Sequence, residues 1–375
     1  MEPIRVLQVV TSMNMGGIEN FLMNYYRHID RTKVQFDFLK HRSDKSYFDD
    51  EIISMGGRIF NVPSINPLHH FEYLKALDSF FVHHPEYKII HTNIGANGIY
   101  VLRAAKRNLI PIRIAQSHCA PDKMIHLGIR APFVYYAMRN IAKHNTHNFA
   151  CGDAAGRWLF GKRSNYAIIP NAIDTSLFSL QTIERCLKRN ELNTSNALTI
   201  GHVGSFTRVK NHSLILSIFY EIVHQHPNTI LLLIGDGKLR ETMKHQAQEM
   251  KLADKVRFLG IRSDVSQLMQ AMDLFLFPSL FEGLGIVLIE AQTAGLPCLA
   301  SDRVPKDAQV TDLLEYMPLE EPAERWARKL LQMAKDTPRR DRSDEVKAAG
   351  YDVSENARWL QDFYLTCHAE TKTHQ

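Results

Sequence analysis

Two rhythms of apolar residues alternate along the chain. Short runs rich in β-branched and aromatic residues are separated by longer segments with apolar positions three and four apart, the succession expected of parallel βαβ units. In the first half, strands are predicted at RVLQVV (5–10), QFDFLK (35–40), RIFNVP (58–63), IIHTNI (89–94), IRIAQS (112–117) and HNFACG (147–152), with helical spacing over Glu19–His28 and His70–Phe81. The strand signal pauses at IIPNAIDTSLF (168–178) and the polar stretch QTIERCLKRNELNTSN (181–196), where Pro and Asn mark a turn. It restarts at LTIGHVG (198–204), TILLLIGDG (229–237), VRFLG (256–260), LFLFPS (274–279) and PCLAS (297–301). The expectation is an α/β protein of two doubly wound domains, 1–172 and 197–354, joined by a linker at 173–196. An apolar-striped segment near the end, about 355–375, has no strand after it and is expected to pack back on the first domain.

Composition narrows the class without changing it. The 375 residues are 45% hydrophobic and 23% charged, which fits a folded globular protein and excludes disordered, collagen-like and coiled-coil architectures. Cys119, Cys151, Cys186, Cys298 and Cys367 are odd in number and show no C-x-x-C spacing, so neither a disulfide framework nor a zinc module is expected. The start, MEPIRVLQVV, lacks the features of a signal peptide, and no apolar run reaches the roughly 18–20 residues that span a bilayer. A cytoplasmic location is expected, with contact at the inner face of the cell membrane as an extension of it. Charge is uneven: residues 1–180 hold 21 Lys and Arg against 14 Asp and Glu, whereas 181–375 hold 24 against 26. The first half is thus suited to an anionic partner.

In an open α/β sheet, ligands bind beyond the carboxyl ends of the strands, where helix N-termini offer free N–H groups to anions. Three strand ends carry candidate chemistry. After the first strand, Gly16 and Gly17 precede a helix and permit a close backbone approach to phosphate, although G-x-G-x-x-G is missing and the pair is also a common tight turn. After Gly204, the cations Arg208 and Lys210 fall in one short loop, suited to clamping a pyrophosphate or to a plain solvated turn. The third is the most informative: Glu282-Gly283-Leu284-Gly285 opens a helix that carries Glu290 two turns on. There, backbone N–H groups can face a phosphate while carboxylates accept from sugar hydroxyls.

These residues resemble glycosyltransferase family four, the retaining nucleotide-sugar glycosyltransferases of GT-B fold. EGLGIVLIE matches the family's E-x7-E motif at Glu282 and Glu290, and the resemblance extends over Gly16-Gly17, RIAQSH ending at His118, IPNAID (169–174) and GHVGSFTRVKN (201–211). It spans nearly the whole chain and is strongest toward members that build bacterial capsular or exopolysaccharide units on a lipid carrier. The fold implied is two Rossmann-like domains facing across a cleft, the first for the acceptor and the second for the nucleotide-sugar donor. The resemblance also implies site roles: Glu282 orients the donor sugar, Glu290 holds the ribose, and the backbone of Gly283, Leu284 and Gly285 contacts sugar and distal phosphate. Arg208 and Lys210 would stabilise the departing diphosphate, Gly16-Gly17 would approach it, and His118 would contact the sugar near the reaction centre. Family members usually carry arginine directly after the strand-end glycine, where this chain has Ser205, which leaves the diphosphate to Arg208 or mainly to Lys210. Backbone groups near Ile261 and Arg262 are expected to read the nucleobase.

The implied reaction is hexosyl transfer with retention from a nucleotide-diphosphate sugar, with UDP the expected nucleotide, to a glycan or lipid-diphosphate acceptor, needing neither metal nor another cofactor. Two readings share the architecture: a UDP-sugar epimerase or hydrolase, and a non-catalytic partner subunit. From Lys123 to Gly152 there is no acidic residue, and Lys123, Arg130, Arg139 and Lys143 are interleaved with aromatic and aliphatic side chains. Such a stretch, 123–147, suits peripheral contact with an anionic membrane as well as it suits a core helix. No nucleic-acid motif is present and the isoelectric point of 8.8 is modest, so no nucleic-acid partner is expected. The adjacent pairs His69-His70 and His83-His84 lack metal-ligand spacing.

Overall fold

The computed structural model describes residues 2–118 and 131–373. Thirteen strands form two wholly parallel sheets among these residues. The first contains β1 (Ile4–Val10), β2 (Val34–Lys40), β3 (Ile59–Asn61), β4 (Ile89–Thr92), β5 (Ile112–Ser117), β6 (His147–Ala150) and β7 (Ala167–Ile168), in the order β3-β2-β1-β4-β5-β6-β7. The second contains β8 (Leu198–Val203), β9 (Thr229–Ile234), β10 (Val256–Gly260), β11 (Leu274–Phe277), β12 (Cys298–Ser301) and β13 (Leu314–Met317), in the order β10-β9-β8-β11-β12-β13. Both orders reverse direction once, between β1 and β4 and between β8 and β11. A doubly wound sheet opens a crevice at such a reversal, beyond the carboxyl ends of the two strands.

The chain separates into one compact unit of Met1–Ala172 with Val353–Gln375 and another of Ile173–Asp352. Helices cover both faces of each sheet, so the central strands are buried on both sides and read as apolar runs; all seven residues of β2 are buried. In the first unit, Val353, Ala357, Leu360, Tyr364 and Cys367 of the last helix, Val353–Thr373, join the core formed by β1, β2 and the helix Gly17–His28. In the second, Leu231, Leu233, Leu274 and Leu276 pack under the helix His212–Gln225, while Phe275 and Phe277 face the helix Ile286–Thr293.

Two strands and a helical stretch depart from the pattern reading. β7 is two residues long, too short to show a period, and β13 lies at a sheet edge with only Leu314 fully buried. Residues 173–196 are more than a linker: helices Thr175–Phe178 and Thr182–Glu191 lie there, and Arg185 donates to the carbonyls of Gln270 (2.7 Å) and Met272 (2.6 Å). Arg189 donates to the Ala271 carbonyl at 2.9 Å in the same way and pairs with the Asp273 carboxylate at 3.0 Å. The polarity that suggested a linker belongs to arginines satisfying a helix end.

Candidate functional site

In the second unit the site is built where β8 and β11 part. After Val203 the chain passes Gly204 and Ser205 into a 3-10 turn, Arg208–Lys210, and Asn211 adopts the left-handed region (φ 56°) before the helix His212–Gln225 begins. The loop after β11 is tied to this turn twice. Leu280 N–H donates to the Val209 carbonyl at 2.8 Å, and Asn211 Nδ2 donates to the Pro278 carbonyl at 3.2 Å. That fixed spacing brings Lys210 Nζ within 2.6 Å of Glu282 Oε1, with only 18% and 12% of the two side chains exposed. Lys210 also sits 4.8 Å from the centre of the Phe277 ring, where the aromatic face favours a cation.

Gly285 (φ 79°) caps the helix Ile286–Thr293, and a side chain at Gly283 would meet no atom within 4 Å, so the helix start is open to a ligand's approach. Glu290 lies two turns along this helix. Its carboxyl has no hydrogen-bond or ion-pair partner among the described residues, and burial pushes its pKa up to about 7. Behind the turn, the backbone packs too closely for side chains: a Cβ at Gly235 (φ 133°) would fall 2.2 Å from the Gly204 carbonyl oxygen. His202 and His212 are buried beneath it with ring centres 4.9 Å apart, and burial pushes His212 down to about 4 and His202 well below the ordinary histidine range. Both are therefore neutral, and the local positive charge is carried by Lys210 and Arg208.

The remaining second-unit candidates are less engaged. Arg208 is exposed and forms no side-chain ion pair among the described residues, and Ser205 is exposed with its hydroxyl 3.5 Å from that of Thr207. Ile261 is 58% exposed just after β10. The Arg262 guanidinium is committed to Asp264 through two bonds of 2.7 Å, so this residue offers a ligand its backbone and not its charge.

In the first unit, Gly16 is extended (φ −166°) before the helix Gly17–His28. The Glu19 carboxylate folds back over it: a Cβ on Gly16 would lie 2.3 Å from Glu19 Oε2. An anion approaching Gly16 and Gly17 would meet this carboxylate first, and burial raises the Glu19 pKa, which softens but does not remove that opposition. His118 follows β5 directly. Its Nε2 donates to Asn93 Oδ1 at 2.9 Å, its ring meets Phe21 edge-on at 5.0 Å, and burial pushes its pKa down to about 3. The sequence reading missed Asn93, together with Gln8 and Tyr364 behind it. Polar residues inside the apolar runs RVLQVV and IIHTNI were the available signal, because a buried amide on a central strand needs partners.

Of the basic aromatic stretch 123–147, residues 123–130, including Lys123 and Arg130, lie outside the described residues. The rest begins with the helix Ala131–Asn140, where Phe133, Tyr135 and Tyr136 are 58%, 47% and 52% exposed and Arg139 lies over the Tyr135 ring. Among the described residues, no helix is long and apolar enough to cross a membrane, and no group of three His, Cys, Asp or Glu could hold a metal ion.

A family model described as Glycosyltransferase Family 4 matches residues 15–177, and one described as Glycosyl transferases group 1 matches residues 185–349. The chain is 34% identical over 370 residues to EpsF of Bacillus subtilis (strain 168), a glycosyltransferase by designation, covering 96% of both chains. It is 24% identical over 316 residues to the UDP-Gal:alpha-D-GlcNAc-diphosphoundecaprenol alpha-1,3-galactosyltransferase of Escherichia coli, covering 80% of this chain and 79% of that one. Among solved structures, HepE of Anabaena in complex with UDP matches with a TM-score of 0.78 at 18% identity, covering 97% of this chain and 100% of that one. At that identity the likeness speaks for the fold, two Rossmann-like units of GT-B type.

Proposed function

The chain belongs to glycosyltransferase family four, and on that premise we propose that it moves a hexosyl group with retention from a UDP-sugar to a lipid-linked glycan in polysaccharide biosynthesis. The observation that carries this reading is the Lys210–Glu282 pair, held beyond the β8/β11 reversal beside a helix start opened by Gly283 and Gly285. A cation, a carboxylate and free N–H groups in one place suit a diphosphate joined to a sugar. The choice of donor draws support from HepE, solved with UDP and with UDP-glucose, and the acceptor from the E. coli relative's diphosphoundecaprenol substrate.

In this reading Glu282 accepts from donor-sugar hydroxyls, Glu290 accepts from the ribose, and Gly283, Leu284 and Gly285 offer N–H groups to sugar and distal phosphate. Lys210 neutralises the departing diphosphate, with exposed Arg208 beside it and Ser205 contributing a hydroxyl. Backbone groups at Ile261 and Arg262 read the base. Gly16-Gly17 approaches phosphate once Glu19 withdraws, and His118 meets a sugar hydroxyl. The acceptor hydroxyl attacks from the face the diphosphate leaves, and the leaving phosphate oxygen takes its proton. Stabilising charge on that phosphate supplies most of the rate enhancement, and the fixed cation and helix dipole do this without a metal.

Calorimetry with UDP-, GDP- and ADP-glucose in the presence of EDTA tests the reading. One-site binding of the UDP-sugar alone is expected; binding of none of the three, or binding that appears only when Mg2+ is restored, contradicts it. The acceptor side predicts contact with the inner face of the cell membrane through the helix Ala131–Asn140. Replacing Arg139 by Glu and Tyr136 by Ala should weaken cosedimentation with phosphatidylglycerol vesicles about tenfold, as each basic residue near an anionic surface contributes about 1 kcal/mol. Unchanged cosedimentation would assign this face to another contact.

A further inference from the structure

A directed chain of hydrogen bonds runs through the interior of the first unit and ends on His118. His118 Nε2 donates to Asn93 Oδ1 (2.9 Å), Asn93 Nδ2 to Gln8 Oε1 (2.9 Å), and Gln8 Nε2 to the Tyr364 hydroxyl (3.2 Å), which lies 2.6 Å from His91 Nδ1. Gln8 lies on β1, His91 on β4, Asn93 just after β4, and Tyr364 on the terminal helix; none of the four is more than 1% exposed.

The direction of this chain is not free to reverse. Asn93 Nδ2 also donates to the His91 carbonyl at 3.3 Å, and a carbonyl can only accept. The amide nitrogen of Asn93 must therefore face inward and its oxygen must face His118. Gln8 then presents its oxygen to Asn93 and its nitrogen to Tyr364, whose hydroxyl has His91 Nδ1 as its other partner. Each orientation supports the next, so turning Asn93 over would leave several buried groups mismatched.

We infer that Asn93, backed by Gln8 and Tyr364, is a positioning residue that locks His118 in the Nε2–H tautomer, so that His118 meets substrate as a hydrogen-bond acceptor at Nδ1. Nδ1 is shielded from water and has no partner among the described residues, which is the state of a group whose partner arrives with a ligand. An imidazole locked in this way accepts from a sugar hydroxyl and has nothing to donate to an oxygen that can only accept, such as a carboxylate or phosphate oxygen. The inference rests on the reading of His118 as a substrate-contacting group and adds what kind of contact it makes.

The test is the nitrogen spectrum of His118 in the full chain labelled with 15N-histidine, assigned by the signal lost in His118→Gln. The wild-type protein should show the Nε2–H form alone; an Nδ1–H form or a mixture overturns the inference without any further variant. Asn93→Leu removes the acceptor, so His118 should become a tautomer mixture and kcat with UDP-glucose should fall at least tenfold while affinity for UDP stays within twofold. A pure Nε2–H spectrum in a folded Asn93→Leu protein overturns the inference, as does undiminished kcat in that protein. His118→Ala separates the two levels. Full turnover in that variant removes the substrate role of His118 and this inference with it, whereas loss of turnover beside a wild-type Nδ1–H spectrum removes the inference alone.

Discussion

Lys210→Ala and Glu282→Gln should each slow UDP-sugar turnover by about 10²–10³, the effect typical of removing one charge-stabilising group from a reaction centre. The double variant should be no slower than the slower single. Non-additivity is expected because the two side chains form one unit, 2.6 Å apart and mostly shielded from water. Without a ligand, Glu282 satisfies the ammonium of Lys210. When a diphosphate arrives, it competes for that ammonium and frees carboxylate oxygen for the sugar. A protein lacking Lys210 therefore has a Glu282 that repels the phosphate, and the Glu282→Gln protein, with a neutral amide where the carboxylate stood, no longer polarises the sugar hydroxyls. Fold should survive both changes, since the amide oxygen of the Glu282→Gln variant still accepts from Lys210 and the loops are held independently by the Leu280–Val209 and Asn211–Pro278 bonds. Steady-state kinetics with melting curves decide the matter. Either single variant keeping a third of the turnover, or a double variant losing the product of both effects, would mean that the pair does not act together at the reaction centre.

Much of this arrangement is visible in the sequence because it depends on chain order. Parallel strands buried on both faces read as apolar runs, and eleven of the thirteen strands described carry an apolar run in the sequence, while β7, two residues long, and β13, an edge strand with one buried residue, do not. The glycines and carboxylates after β11 stand out for the same reason, lying together in one short segment. Partnerships across the fold are another matter. That Lys210 bonds Glu282, 72 positions away, follows from β8 and β11 being neighbours, a fact of topology that spacing does not carry. Tyr364 is separated from Gln8 by 356 positions, and its role depends on where the terminal helix lands. Conversely, nothing in the spacing shows that the Arg262 guanidinium, beside the backbone expected to read the base, is spent on Asp264 two residues later. Glu19 reads as an ordinary first-turn acid, yet its carboxylate covers the very glycine expected to meet phosphate.

Affinity for a UDP-sugar should rise about fivefold between pH 6 and pH 8, and Glu290→Gln should abolish that rise. The cause is a half-buried side chain whose carboxyl has no partner among the described residues and whose pKa desolvation raises from the ordinary 4.5 to about 7. An ionised carboxylate accepts a hydrogen bond more strongly than a protonated one, by about 1–2 kcal/mol, so a ribose hydroxyl is bound better once Glu290 loses its proton. Neither His212 of the same unit nor His118, the histidine assigned to the sugar, competes for this window, because burial holds them at about 4 and about 3. The ligand does not either: both phosphates of a UDP-sugar are esterified and keep constant charge from pH 6 to 8. The same residue has an opposite effect on the empty protein. Below about pH 4.5 both folded and unfolded chains hold the proton; between there and about pH 7 only the folded chain does, so the stabilisation present at low pH is progressively lost as pH rises through 7. Glu290→Gln should accordingly melt higher than the parent at pH 8 and show no such gain at pH 4.5, while binding UDP-glucose more weakly at pH 8. A site that sacrifices stability for recognition behaves in this way, the ribose hydroxyls supplying on binding the partners that the fold withholds. Calorimetry and thermal melts of the two proteins across the pH range test both halves. A flat affinity profile in the parent, or an identical slope in Glu290→Gln, would remove Glu290 from the nucleotide site.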